Sequence, residues 1–208
     1  MPVWSAMKIR CVVVGIDHWE DLTFPFLQGL VEHDPALDLV VIDNQSKEPY
    51  PKHAGFKTLR IPRVGYGSAL NSGASGDWDW LLTLNNDCIC SGEVSSIISS
   101  LSPNTVYGNE WKYDFNEADS GFPAVVDSAY MLIPRAIWDK VGGFDPLMDA
   151  AFEEIDYQFR VIRSGFRVDV SRLPIVHLNY HTRYELPGYS NRWHMTRAAF
   201  YKKYSFPS

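Results

Sequence analysis

The chain has 208 residues, of which 46% are hydrophobic and 14% aromatic, enough for the core of a single domain. Its formal net charge of −6 argues against a general polyanion-binding protein, whose usual mark is a basic domain. Three cysteines without a zinc-finger spacing predict reduced, buried thiols in a cytoplasmic protein. No signal-peptide pattern precedes Cys11 and no apolar run reaches ~18 residues, so we expect no transmembrane segment.

Apolar runs alternate with segments of helical spacing along the first half of the chain. The apolar runs predict four buried strands, at residues 9–15, 37–42, 56–61 and 80–84. Helices are predicted at residues 20–33, in a short segment that begins at residues 65–68, and at residues 91–100, where Ser91 can cap. This alternation indicates an α/β fold with a mostly parallel sheet and helices on both of its faces.

The second half of the chain repeats the pattern less regularly. Strands are predicted at residues 125–133, 166–170 and 175–178, with a short helix that starts at Pro134 and a last helix over residues 190–204. Residues 109–123 show little pattern, and we expect them to form a loop over a site. Nothing in the sequence indicates a linker between domains, so residues 1–208 are predicted to form one domain.

Polar residues follow three of the predicted strands. These segments are Gly15-Ile16-Asp17-His18, Asp43-Asn44-Gln45-Ser46 and Asn85-Asn86-Asp87. Ligands of open parallel sheets bind beyond the carboxyl ends of the strands, so the three segments predict one shared site. Asp43 either accepts from a base or ribose or caps its own loop. Asp87 suits a hard cation, since one or two carboxylates plus substrate phosphates suffice for Mg²⁺ or Mn²⁺.

An acidic helix around residues 149–160 is the second candidate for chemistry. Glu153 and Asp156 are three positions apart and therefore share a helix face, whereas Glu154 points elsewhere. Acids in a first helical turn are also favoured by the helix dipole alone, so the cluster has a purely structural interpretation as well. We expect an apolar stripe to hold this helix against a core. The stripe consists of Phe152, Ile155, Phe159 and Ile162.

Several common catalytic motifs are missing from the sequence. There is no GxxxxGK[ST] phosphate loop, no GxSxG elbow, and Gly65-Tyr66-Gly67 does not follow the first strand as a dinucleotide fingerprint would. His177 and His181 lie near the last predicted strand, and either one could be a metal ligand or a structural histidine.

With these residues in view, the chain resembles the family 2 glycosyltransferases of the GT-A fold, in particular their rhamnosyltransferase-like branch. Five segments from about Cys11 to Tyr204 carry the resemblance, in the order that the family has them. They are Val40-Val41-Ile42-Asp43-Asn44-Gln45-Ser46, residues 63–73, Leu82-Thr83-Leu84-Asn85-Asn86-Asp87, Val141-Gly142-Gly143-Phe144-Asp145 and Phe152-Glu153-Glu154-Ile155-Asp156. The resemblance implies a single Rossmann-like GT-A domain, with a nucleotide-binding part at about residues 8–100 and an acceptor-side part at about 101–208.

The resemblance also implies roles for individual residues. Asp87 would bind a divalent cation, Mn²⁺ or Mg²⁺, and the donor diphosphate, with His177 as a second metal ligand. The nucleotide diphosphate sugar would further contact Asp17, Asp43, Asn44, Asn71 and Asn86. Glu154 would be the catalytic base with Glu153 as the alternative and Asp156 beside them, and Gly143, Asp145 and Trp193 would contact the acceptor.

The implied activity is a metal-dependent, inverting transfer of a sugar from a nucleotide diphosphate sugar to the hydroxyl of a glycan or another acceptor. Asn85 in place of an acid and Glu154 in place of Asp keep open a catalytically inactive module that binds nucleotide or glycan. A transferase acting on a base of DNA, and hence a nucleic-acid partner, is a less favoured alternative because the net charge of the chain is negative. A sugar nucleotidyltransferase is disfavoured because residues 15–21 lack a basic phosphate loop. The sequence leaves open the donor, the acceptor and the oligomeric state.

Overall fold

A computed structural model describes residues 7–110, 126–178 and 188–205. The strands are β1 (Ile9–Gly15), β2 (Asp38–Asp43), β3 (Lys57–Arg60), β4 (Trp80–Asn85), β5 (Cys88–Cys90), β6 (Thr105–Glu110), β7 (Val126–Pro134), β8 (Arg167–Val170) and β9 (Ile175–His177). The helices are α1 (Phe24–His33), α2 (Tyr66–Gly73), α3 (Ser95–Ile98), α4 (Arg135–Val141), α5 (Glu153–Arg163) and α6 (Tyr189–Tyr204), and a π-helical turn, Trp19–Thr23, leads into α1.

Seven of these strands form one mixed sheet in the order β3-β2-β1-β4-β7-β6-β8. The first four strands are parallel to one another, and β6 and β8 are also parallel. Within this sheet, as far as the structure describes it, only β7 runs antiparallel to its neighbours, which are β4 and β6. The small strands β5 and β9 pair antiparallel as a separate ribbon. The architecture is therefore the predicted α/β fold with a mostly parallel sheet.

The sheet is buried on both faces because successive side chains of its central strands point into two different cores. Cys11 and Val13 of β1 belong to a core with α1 and α3, and Val12 and Val14 belong to one with α2, α4 and α5. A continuous apolar run is what such a doubly covered strand requires, because neither face meets water. The prediction of helices on both faces is confirmed.

Several element boundaries differ from the predictions for local reasons. The helix expected at residues 20–33 is divided, since Pro25 lies at the N-terminal start of α1 and the preceding turn is π-helical. The helix expected at residues 91–100 shortens to α3, because the buried carboxylate of Asp34 accepts the N–H groups of Val94 (3.1 Å) and Ser95 (2.7 Å) and takes the capping role expected of Ser91.

The apolar stripe expected on the acidic helix is also wrong in part. Ile162 is 39% exposed, whereas Tyr157 and Val161 of α5 pack on the sheet instead. Phe152 and Ile155 do pack as expected, in a third core with Phe200 and Tyr201 of α6. Helix α5 therefore lies between the sheet and α6, which fixes the direction of its first turn. The loop expected at residues 109–123 lies outside the described residues except for the end of β6.

In the described part of the chain, no helix combines the length and the apolar character that crossing a membrane requires.

Candidate active site

A cleft of about 540 Å³ opens at the carboxyl ends of β1, β2 and β4. The cleft is lined by the segments after these strands, by the start of β7, which lies beside the end of β4, and by the first turns of α5 and α6. The polar and charged side chains that line the cleft are Asn44, Arg63, Tyr66, Asn85, Asn86, Asp87, Asp127, Ser128, Asp149, Glu153, Glu154, His177, Tyr189 and Arg192. The volume is within the range of about 300–1,000 Å³ that is typical of small-molecule sites.

Asp43 does not line the cleft but organises the loop behind it. Its fully buried carboxylate accepts the N–H of Ser46 (2.8 Å) and of Tyr50 (3.2 Å), and Arg60 donates to it at 2.7 Å. Burial alone would raise the pKa of Asp43, and these hydrogen bonds and the charge of Arg60 outweigh it, so the pKa is lowered. The placement supports the loop-capping alternative and argues against the contact with a base that the resemblance implied.

Two of the three asparagines expected to bind nucleotide, Asn44 and Asn71, hold backbone groups. Asn44 lines the cleft, yet its amide both donates to the carbonyl of Val64 (2.9 Å) and accepts the Val64 N–H (3.0 Å). Asn71 makes the same double contact with Phe144 (2.8 and 2.9 Å) and lies outside the cleft. Asn71 therefore couples α2 to the loop after α4, a structural role that replaces the predicted contact with the donor.

Asp17 lies beside the cleft, and Asn86 lines it. Asp17 has a positive φ of 49°, and its carboxylate accepts the N–H of Lys47 at 2.7 Å. It is adjacent to the lining residue Ile16 without itself lining the cleft. Asn86 does line the cleft and donates to Thr23 at 2.9 Å. Of the predicted nucleotide contacts, Asn44, Asn86 and Asp87 are thus the ones that reach the cleft.

Asp87 and His177 come together although they are 90 positions apart. Strand β9 pairs with β5 so that His177 lies opposite Cys88, and the Leu178 N–H donates to the Asp87 carbonyl at 2.8 Å. Nε2 of His177 is 3.1 Å from Oδ1 of Asp87 and 3.3 Å from the amide of Asn85. His181, the alternative to His177, lies outside the described residues.

The pair fits a divalent cation in its spacing. Two ligands at about 2.1 Å from one ion and at right angles to it lie about 3 Å apart, close to the 3.1 Å observed. If the Asn85 amide turned, its oxygen would become a third donor. Within the described residues, no group of three or more His, Cys, Asp or Glu side chains is arranged to hold a metal. A divalent cation held there would have two or three protein ligands, and substrate and water would fill its remaining positions, as is usual for Mg²⁺ and Mn²⁺.

The first turn of α5 contributes two carboxylates to the cleft. Glu153 and Glu154 both line it, with Glu153 buried and Glu154 half-buried. They follow Phe152, which caps α5 with a left-handed φ of 67°, an uncommon conformation for a bulky residue. Packing of the Phe152 ring on Trp193 (5.9 Å between centroids) and Phe200 (5.1 Å) holds that conformation.

Asp156 lies on the other side of the helix, away from the cleft. Its fully buried carboxylate accepts from Arg160 (2.8 Å), Lys203 (2.5 Å) and Tyr204 (2.6 Å). Burial and then the Asp156 hydrogen bond raise the pKa of Tyr204. All of these partners belong to α5 and α6, so Asp156 joins the two helices. This placement argues against the catalytic role predicted for it.

Two of the three predicted acceptor contacts are likewise structural. The Gly143 carbonyl accepts from Arg160 at 2.8 Å, and Asp145 pairs with Lys203 at 2.6 Å. Neither residue lines the cleft. Trp193 does line it, through the first half of α6.

The sequence analysis did not single out Arg63 and Asp149 as site residues, and it placed Arg192 only within the last helix, predicted over residues 190–204. Arg192 donates through Nε to Oδ2 of Asp149 at 2.8 Å, and Arg63 lies at the exposed rim. The available signal was the position of Arg63 at the start of the glycine-rich segment and of Arg192 at the start of α6. Arginine is common on protein surfaces, so neither position is informative until the fold brings both to one cleft.

Comparison with solved structures identifies the class of fold. The mannosyltransferase PcManGT from Pyrobaculum calidifontis, solved in complex with GDP-Man and Mn²⁺, is similar over 79% of this chain and 54% of its own, with a TM-score of 0.62 and 15% identity. The chain therefore spans about half the length of that structure. No protein-family profile matches the sequence, and no curated protein matches it. The fold is that of the GT-A glycosyltransferases, and the likeness does not extend to the rhamnosyltransferase-like branch that the motifs predicted.

Proposed function

We propose that the protein transfers a sugar from a nucleotide diphosphate sugar to an acceptor hydroxyl with inversion at the anomeric carbon. The observation that carries the proposal is that Glu154 lines the same cleft as Asp87 and His177, which lie 3.1 Å apart at the carboxyl ends of the strands. The GT-A fold supports it, as does the Mn²⁺ and GDP-Man bound by the structural neighbour.

Asp87 and His177 are the residues that would hold the divalent cation. A cation there supplies positive charge to the leaving diphosphate as the bond to the sugar breaks. The Asp87 carboxylate is a hard oxygen donor, and the imidazole nitrogen of His177 favours a transition ion such as Mn²⁺ over Mg²⁺. Because Asp87 is buried and His177 half-buried, water has limited access to this end of the cleft.

Glu154 is the proposed base. Its carboxylate would take the proton of the acceptor hydroxyl while that oxygen forms a bond to the anomeric carbon and the bond from this carbon to the diphosphate oxygen breaks. Glu153, more deeply buried and packed near Gly67, is the alternative. The aromatic rings of Phe152 and Trp193 line the cleft next to these acids and exclude water from the reacting atoms.

A second candidate function is nucleotide or glycan binding without transfer. It is favoured by one observation: Asp87 is the single acid at the end of β4, with Asn85 and Asn86 beside it. A cation held by one carboxylate and one imidazole would be bound more weakly than one held by two acids. Binding of nucleotide without turnover of the donor would establish this alternative.

The test begins with thermal unfolding in the presence of UDP, GDP, dTDP or CDP, each with Mn²⁺ or with EDTA. A ligand that binds only the native state raises the midpoint with its concentration over its dissociation constant. We expect one nucleotide to raise the midpoint in a Mn²⁺-dependent manner, and we expect Asp87→Ala and His177→Ala to abolish the effect. Glu32→Gln, an exposed carboxylate on α1 outside the cleft, is the control variant.

Hydrolysis of the matching nucleotide sugar then separates the two candidates. The wild type should hydrolyse the donor slowly even without acceptor, and Glu154→Gln should lower turnover by about 10²-fold or more while nucleotide binding is unchanged. A full loss in Glu153→Gln with normal activity in Glu154→Gln would exchange their roles. The absence of a shift with every nucleotide would contradict the transferase proposal.

A further inference from the structure

Arg63 and Arg192 are the two arginines on an otherwise acidic cleft. Five carboxylates line it, those of Asp87, Asp127, Asp149, Glu153 and Glu154. Among the described lining residues, the arginines are the only side chains with a permanent positive charge. An oxyanion that enters the cleft without a metal is therefore repelled everywhere except at the arginine rim.

The two guanidinium groups come from separate elements that meet at the cleft. Arg63 precedes α2, and Arg192 is in the first turn of α6. Both side chains line the same cleft. Burial is the main cause of the lowered pKa of Arg63, with a smaller contribution from the charge of Arg192, and Asp17 opposes the shift. An anion bound at this rim would be attracted by both positive charges.

Asp149 lies between these elements, and its carboxylate partly neutralises the positive charge of Arg192. Its Oδ2 accepts from Nε of Arg192 at 2.8 Å and lies 2.7 Å from Nη2. Its other oxygen faces Gly65, where a Cβ atom would lie 2.5 Å from Oδ1. Asp149 thus serves Nε and Nη2 of the Arg192 guanidinium, and its backbone carbonyl also accepts from Nη2 at 3.3 Å. The backbone N–H of Arg63 donates to Oε1 of Gln45 at 2.8 Å. Among the described residues, no acceptor takes the guanidinium N–H groups of Arg63 or those on Nη1 of Arg192.

We propose that Arg63 and Arg192 form an oxyanion subsite that binds a phosphate group of the substrate, with Asp149 as the counter-charge that occupies part of Arg192 while the subsite is empty. Guanidinium groups bind phosphate through paired, charge-assisted hydrogen bonds, and the unused N–H groups at the cleft provide them. The phosphate belongs either to the donor diphosphate or to a phosphorylated acceptor. The choice between these two phosphates rests on the proposed function, whereas the existence of the subsite does not.

The first experiment measures binding of inorganic pyrophosphate in EDTA, which excludes binding through a metal at Asp87. Titration at constant ionic strength should raise the unfolding midpoint of the wild type. Arg192→Gln and Arg63→Gln, which keep much of the side-chain stem, should each weaken pyrophosphate by about tenfold. The control is Arg167→Gln, an exposed arginine on the edge strand β8.

Asp149→Asn gives the opposite expected sign. The amide keeps the shape of the side chain against Gly65 but removes the charge that competes for Arg192, so pyrophosphate should bind about two- to fivefold more tightly. If the Asp149–Arg192 pair were purely structural, Asp149→Asn and Arg192→Gln would both disturb the fold and would not change pyrophosphate affinity in opposite directions. Equal binding in wild type and both arginine variants, or weaker binding in Asp149→Asn, would overturn the subsite. The midpoint without pyrophosphate shows whether each variant folds.

The second experiment assigns the phosphate, using Mn²⁺ and the nucleoside diphosphate that stabilises the wild type. If Arg192→Gln weakens that nucleotide about tenfold, the subsite serves the donor diphosphate. If nucleotide affinity is unchanged, it serves a phosphorylated acceptor. If no nucleotide binds to the wild type, the proposed function fails, whereas the pyrophosphate titrations still decide whether the subsite exists.

Discussion

Replacing Asp156 by Asn should destabilise the protein without removing a catalytic group. The Asp156 carboxylate is fully buried and accepts from Arg160, Lys203 and Tyr204 at 2.5–2.8 Å. Removing one partner of a buried ion pair typically costs about 3–5 kcal/mol of unfolding free energy. The lower end applies here, about 3 kcal/mol. Lys203 keeps Asp145 at 2.6 Å, and Arg160 keeps the carbonyls of Val141 and Gly143.

Thermal unfolding followed by circular dichroism measures this cost. For a domain of this size about 1 kcal/mol shifts the midpoint by about 2–4 °C, so we expect a decrease of about 6–12 °C. The control is Asp139→Asn, which breaks an exposed pair with Arg135 and should change the stability by less than about 1 kcal/mol. A midpoint near that of the wild type, together with lost donor hydrolysis per folded molecule, would refute the structural role and return Asp156 to the catalytic set.

Two further predictions concern residues in and behind the cleft. Gly65→Ala should displace the Asp149 segment, because a Cβ atom there would lie 2.5 Å from Oδ1 of Asp149 and closer still to its backbone carbonyl. Nucleotide-dependent stabilisation of this variant should fall well below that of the control Gly92→Ala, whose Cβ would be 3.3 Å from Pro174, and equal stabilisation of the two variants would contradict the argument. The lowered pKa of Asp43 means that its contribution to stability is complete above the ordinary value of 3.8 and is lost as pH falls through the lower folded value. Urea titrations across this range should therefore show less acid dependence in Asp43→Asn, and an unchanged slope would show that other groups carry it.

The sequence predicted the parallel half of the sheet because its strands are buried on two faces. Residues 11–14 are apolar without interruption, and only a doubly covered strand needs such a run. Strand β5 escaped prediction because three residues of buried, exposed and buried character are too short to show a period. The direction of β7 depends on which strands it joins, and local pattern carries no information about that.

The candidate site was predictable at the level of loops and less so for single side chains. The segments after β1, β2 and β4 do meet at one cleft, because strand ends converge in a parallel sheet. The polar residues that reach the cleft follow β2 and β4, whereas the segment after β1 contributes Ile16 and not Asp17. Asp43 and Asn71 were expected to face a ligand and instead bind backbone. Aspartate and asparagine serve both purposes with the same atoms, so only the direction of the side chain separates the two roles.

The pairing of β5 with β9 has a consequence for the order in which the molecule can acquire its function. Asp87 and His177 meet only when a chain segment of 90 residues has closed, and contacts between distant positions form late and slowly in folding. A partly folded chain that has assembled β1–β4 would possess the segments after these strands but not this pair of side chains. Competence to bind a metal at Asp87 and His177 would therefore report on completed folding, and an added ion would slow unfolding without guiding the early steps.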